Sequence, residues 1–149
     1  MKRLVFIIIS IFAFVNCSKE ESKNYLTYNL IGEGSLYGNG EENIEEQSLI
    51  IKSDQEWNNL LDKINSTNNV SDKFTETEID FSNYIIIAIF DRIRTTGDYQ
   101  IEISNIIDGD KFIIVKTQIS GPKDVAPFVM TQPFFIAKIP KTDKTIIFE

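Results

Sequence analysis

Hydrophobic positions come in three spacings along this chain, and each spacing predicts a different kind of element. Trp57, Leu60, Leu61 and Ile64 recur at i, i+3, i+4 and i+7, which is one face of a helix. Ser53-Asp54-Gln55-Glu56 just ahead of them fits a capping box, in which a hydroxyl and a carboxylate satisfy free amides of the first turn. The predicted helix therefore covers about 53–65, with Asn65 to Asn69 ending it. Tyr84 to Phe90, reading YIIIAIF, is an unbroken apolar run rich in β-branched residues. It is short for a helix and predicts a central strand covered on both faces. Tyr99, Ile101 and Ile103 alternate with Gln100, Glu102 and Ser104, the period-two pattern of a half-buried strand.

The remaining strands follow from turn chemistry between apolar runs. Tyr25 to Tyr37 alternates loosely, and Gly32 and Gly34 within it mark a bulge or bend. Gly38-Asn39-Gly40 predicts a turn, and Gln47 to Lys52 the next strand. Phe74 to Phe81 is mixed and reads as loop or a short strand. Asp108-Gly109 predicts a hairpin between Ile106-Ile107 and Phe112 to Val115, a strand that Ile119 closes. Gly121-Pro122-Lys123-Asp124 breaks it, and Val125 to Gln132 leads as a loop into an apolar strand, Phe134 to Ile139, stopped by Pro140. After a turn at Lys141 to Lys144, Thr145 to Phe148 predicts a last strand. The expected fold class is α+β: a mainly antiparallel sheet of about six to eight strands, curling toward a barrel, with the one amphipathic helix packed on it.

The N-terminus is read as an address. Met1-Lys2-Arg3 is positive, and Leu4 to Val15 is apolar apart from Ser10, long enough for a signal-peptide core and short of a membrane span. Cys17 follows directly. The arrangement resembles a bacterial lipoprotein signal, which predicts a signal peptide over 1–16, lipidation of Cys17, and a flexible tether over 17–24 ahead of a single domain over 25–149. Ser18-Lys19-Glu20-Glu21 resembles the signal that sends lipoproteins of Bacteroidetes-type bacteria to the cell surface. The expected location is thus the cell envelope, with the chain lipid-anchored to the outer membrane.

Composition removes several kinds of chemistry. The chain contains no histidine, so Ser-His-Asp and Cys-His nucleophiles and imidazole metal sites are excluded. A single cysteine allows no intramolecular disulfide. The net charge of −7 disfavours nucleic acid as a partner. Glu41, Glu42, Glu45 and Glu46 crowd together, but their spacing matches no calcium loop, and they are expected to form a solvated acidic loop. A glycosidase-like pair of carboxylates would need a sugar-binding aromatic platform, and none is recognisable. No metal, no cofactor and no catalytic residue is predicted.

Two groups of side chains remain as candidates for binding a protein partner. Asp91-Arg92-Ile93-Arg94 is expected to carry the Tyr84–Phe90 strand out into solvent. There Arg92 and Arg94 share one face of an extended chain and serve either an anion or partner contact or salt bridges to the acidic surface. The loop 121–132 offers Val125, Phe128 and Met130, with Tyr99 close in the expected layout. For these aromatics and prolines the competing role is core packing and turn geometry.

Arg94-Thr95-Thr96-Gly97-Asp98-Tyr99, the hairpin after it, Gly121-Pro122, Met130-Thr131-Gln132-Pro133-Phe134 and Lys138-Ile139-Pro140-Lys141 together resemble the PrcB C-terminal domain family. The similarity runs over roughly Tyr84 to Phe148. The family usually carries Gly-Gly-Tyr after the threonine, and Asp98 stands here in place of the second glycine. The resemblance implies a non-catalytic domain, of the kind related to an accessory subunit of a bacterial surface protease complex, that stabilises or assembles an exported protease. The alternative function is a ligand-binding or protease-inhibitory domain whose 121–132 loop occupies a cleft.

Overall fold

The computed structural model describes residues 24–149. The predicted signal peptide, Cys17 and all but the last residue of the 17–24 tether lie outside the described residues. Seven strands and one α-helix follow in the order β1 (Asn29–Leu36), β2 (Gln47–Ile51), α1 (Asp54–Ile64), β3 (Tyr84–Phe90), β4 (Gln100–Asp108), β5 (Phe112–Ser120), β6 (Gln132–Pro140) and β7 (Thr145–Phe148), with a 3-10 turn at Val70–Lys73.

The strands form two sheets, ordered β1-β6-β3-β2 and β4-β5-β7, and no closed barrel. The curl toward a barrel expected from the sequence is corrected to two stacked sheets. Strand pairing is antiparallel except for β5 with β7, which run parallel. The α+β class and the strand number stand.

The unbroken apolar run of β3 has a direct explanation in this layering. Ile86, Ala88 and Phe90 face α1 and pack with Trp57, Leu60 and Ile64. Ile85, Ile87 and Ile89 face the second sheet and pack with Ile101, Ile103, Ile106, Ile113 and Val115. Successive side chains of a strand point to opposite faces, so a strand with a core on each side has no polar positions to spare. β6 beside it divides in the same way, with Phe134 and Ile136 on the helix side and Phe135, Ala137 and Ile139 on the sheet side. Each buried isoleucine stabilises the fold by roughly 1.5–3 kcal/mol relative to exposure.

Helix α1 forms where the capping signal placed it. Ser53 Oγ accepts from the Glu56 amide at 3.3 Å, and the Glu56 carboxylate accepts from the Lys52 amide at 2.8 Å, one residue further back than in a standard box. Trp57 donates its indole N–H to the Thr77 carbonyl at 2.7 Å and stacks against Phe74, which ties the 70–77 segment over the helix side of the sheet. The predicted bulge in β1 lies between Leu30 and Gly32. The β4–β5 hairpin stands where expected, but a bond from the Gly109 amide to the Phe112 carbonyl at 2.9 Å puts Asp110 and Lys111 at its tip.

Three polar residues depart from expectation. Glu42 is buried rather than solvated, with Oε1 accepting from the Gly38 amide at 2.9 Å. Asp91 does not run out into solvent; it is 2% exposed and its amide donates to the Pro133 carbonyl. Gln132 is the first residue of β6 rather than the end of a loop, and it is also buried. Its Nε2 donates to the Ile44 and Asp91 carbonyls at 2.8 and 2.9 Å. Buried backbone carbonyls need donors, and here a side chain supplies them where strand pairing ends.

Candidate functional site

Two connections meet at one end of the stacked sheets: the bend 91–99 between β3 and β4, and the loop 121–131 between β5 and β6. Both leave sheet edges at neighbouring points, since Gln100 pairs with Ser120 and Phe90 with Phe134. The backbone then stitches them together. Arg94 and Thr131 exchange both amide–carbonyl bonds, at 2.7 and 3.0 Å. The Gly97 amide donates to the Pro127 carbonyl at 3.0 Å, and the Thr131 hydroxyl to the Thr96 carbonyl at 3.2 Å.

Close approach at both crossings depends on glycine. A Cβ on Gly97 would come within 3.1 Å of Pro127 and 3.2 Å of Val129, and one on Gly121 within 2.9 Å of the Tyr99 ring. Asp98, at φ 64°, occupies the left-handed region, which L-residues enter at a cost and glycine without one. The backbone at the departure from the family's Gly-Gly-Tyr therefore keeps a conformation that glycine favours.

The arginines separate in role. Arg94 turns inward. Its Nε and Nη2 donate to the two oxygens of Asp91 at 2.7 and 2.9 Å, and its guanidinium lies 4.5 Å from the centre of the Tyr99 ring. The bond to Asp91 raises its pKa further above the ordinary arginine value, against the opposing effect of burial. A planar fork clamped on one side and stacked on the other is a brace. Arg92 is exposed at the end of β3, beside Ile93, which is 40% exposed.

The loop displays what the brace supports. Val125 is 98% and Phe128 95% exposed, while Met130, nearer the Thr131 crossing, is 40% exposed. The core-packing role weighed for them in the sequence does not apply to Val125 and Phe128. Of the six candidates, the structure groups Arg94 and Tyr99 at the base of the loop, Val125 and Phe128 on its outer part, Met130 between, and Arg92 to one side. Sequence reasoning missed Asp91, Thr131 and Gln132, which hold the base in place. Charge at the end of an apolar strand reads as solvent-facing, and only the neighbouring chain reveals that it is covered. Among the described residues no group of three or more carboxylates is placed to hold a metal ion.

No curated protein and no solved structure matches the chain. The model of the PrcB C-terminal family matches residues 85–140. That stretch runs from the second residue of β3 to the end of β6 and contains every partner-binding candidate, and over it the chain is similar to the PrcB C-terminal family.

Proposed function

We propose that this chain is a non-catalytic interaction module of the bacterial cell envelope, anchored by a lipid on Cys17, whose 121–131 loop docks on a protein partner. An exported protease complex is the partner class to which the family resemblance points. The observation that carries this reading is the near-complete exposure of Val125 and Phe128 on a loop pinned to the 94–97 segment at Pro127 and Thr131. Large apolar side chains held in water on a braced scaffold lose little conformational freedom when a partner covers them. Aromatic anchors of this kind dominate interface energies.

The position of the chain start supports the same reading. The Asn24 carbonyl accepts from the Asp108 amide, and the Leu26 amide donates to the Ile106 carbonyl, so the chain enters the fold beside the far end of β4. The loop leaves at the Gln100–Ser120 end. The length of β4 separates them, about 25 Å at 3.3 Å per residue. A lipid tether joined at Asn24 would attach at the end of β4 opposite the loop and leave the loop free for a partner.

A second reading places the same loop in a protease cleft as an inhibitor, and the exposed, braced display of Phe128 favours it as well. One experiment separates the two. A photo-crosslinking residue at position 128 in intact cells should capture a discrete partner, and Phe128→Ala with Val125→Ala should weaken binding to that partner by at least about tenfold without lowering the melting temperature. If the partner is a protease that keeps its activity when bound, the assembly role stands; blocked hydrolysis supports the inhibitor. Equal partner recovery by the folded double variant sinks both.

A further inference from the structure

The four outer strand edges of the two sheets are not equally protected. β1 is covered by the 70–77 segment, where Thr75 donates its amide to the Ile31 carbonyl and its hydroxyl to the Leu30 carbonyl. β4 is covered by Asn24 to Leu26 and broken by a bulge between Ile103 and Asn105. β7 is four residues long and flanked by Lys144 and Glu149. β2 is different. It pairs with β3 on one side only, and among the described residues no backbone bond reaches its other side. It carries no charge, no proline and no bulge over QSLII. An open apolar edge of this kind is a template for another strand unless something blocks it.

The charges around β2 specify which strand. In an antiparallel pair of β2 with itself, centred on Leu49, Gln47 opposes Ile51 of the second copy and Ser48 opposes Ile50. The same register sets Glu46 opposite Lys52, directly outside the apolar run at both ends. All four of those charges are exposed and without an ion-pair partner among the described residues. Helix α1 runs back along β2 and lines a groove with it, through Glu56, Asn59, Leu60 and Lys63. Asn59 and Leu60 line this groove together with Leu49 and Ile50. Glu46 opposite Lys52 and its symmetry mate thus complement each other under one axis, as an isologous contact requires.

We infer that β2 and α1 form a self-association surface, through which two copies of this chain join their four-stranded sheets into one continuous sheet. The surface lies outside residues 85–140 and is independent of the docking loop. An unrelated peptide strand could add to the same edge, but nothing in such a peptide would explain the paired charges.

Charge reversal tests the register without touching the core. The purified chain should sediment at twice the monomer mass at about 100 µM, a concentration that reveals even a weak dimer. Lys52→Glu alone, and Glu46→Lys alone, should each weaken self-association by at least about tenfold, since each replaces two attractions with two like-charge contacts. An equimolar mixture of the two variants restores both attractions, and dimer should return in the mixture. Unchanged melting temperatures and circular dichroism spectra confirm that each variant folds. A wild-type chain that stays monomeric, or folded single variants whose mixture stays monomeric while the wild type dimerises, overturns the proposal.

Discussion

The pair Asp91–Arg94 shows how a charge that reads as surface chemistry becomes part of the frame. The Asp91 side chain is 1% and that of Arg94 14% exposed. Removing one partner of a buried pair leaves the other uncompensated, which costs about 3–5 kcal/mol. Arg94→Ala should therefore destabilise the fold by that amount and also loosen the loop through Tyr99. Arg94→Lys should recover only part, because an ammonium cannot make both bonds to Asp91 or stack as a plane. Urea denaturation of the three proteins measures the difference. The raised pKa of Arg94 means that its contribution is fully present below the ordinary arginine value and is lost only as pH rises through the higher folded value. Alkaline titration up to pH about 10 should leave the gap between wild type and Arg94→Ala intact.

At the scale of the element, the turn into β3 makes a pH-dependent prediction. Asp80 accepts from the Ser82 hydroxyl, from the Asn83 side chain at 2.7 Å and from the Ser82 amide at 2.9 Å. These bonds, the Ser82 hydroxyl foremost, lower its pKa below the ordinary aspartate value of 3.8. A lowered folded pKa gives stability that is present above the unfolded value and lost as pH falls through the folded one. Asp80→Asn should melt below wild type at neutral pH, and the gap should close in acid below 3.8; a gap independent of pH would mean that the ionised carboxylate is not what matters. Elements like this one also mark what could be read from residues alone. Helix α1, the doubly buried β3 and the β4–β5 hairpin each carry their own signal in spacing or turn chemistry. The exposure of Phe128 follows from no local pattern, because an aromatic between Pro127 and Val129 reads equally as core. The burial of Glu42 and Gln132 depends on partners 4 and 88 residues distant, Gly38 and Ile44, and the nearer of these bonds exists only because the 38–43 turn folds back on itself. The parallel β5–β7 pair and the division into two sheets are set by which strands meet, which a hydrophobic pattern leaves open.

At the scale of the molecule, the two cores lie back to back on one sheet, and this predicts how the protein unfolds. β3 and β6 place alternate side chains in each core, so neither core can come apart while the other keeps those strands in register. Local opening free energies differ across a structure only where a unit can separate from its neighbours. Trp57 is the one tryptophan of the chain and sits in the helix-side core, so its fluorescence reports on that core alone. Ile113 lies in the other core, against the second sheet, and is 2% exposed. Ile113→Ala should remove roughly 2–5 kcal/mol through lost burial and the cavity it leaves. If the cores are coupled through β3 and β6, the whole of that loss appears in the Trp57 transition, at the same denaturant midpoint as the loss of circular dichroism. A Trp57 midpoint that stays at the wild-type value, while circular dichroism shifts, would show that the second sheet detaches first. The helix side would then fold as a unit without it, and the loop between β5 and β6 would lose its brace before the helix-side core gave way.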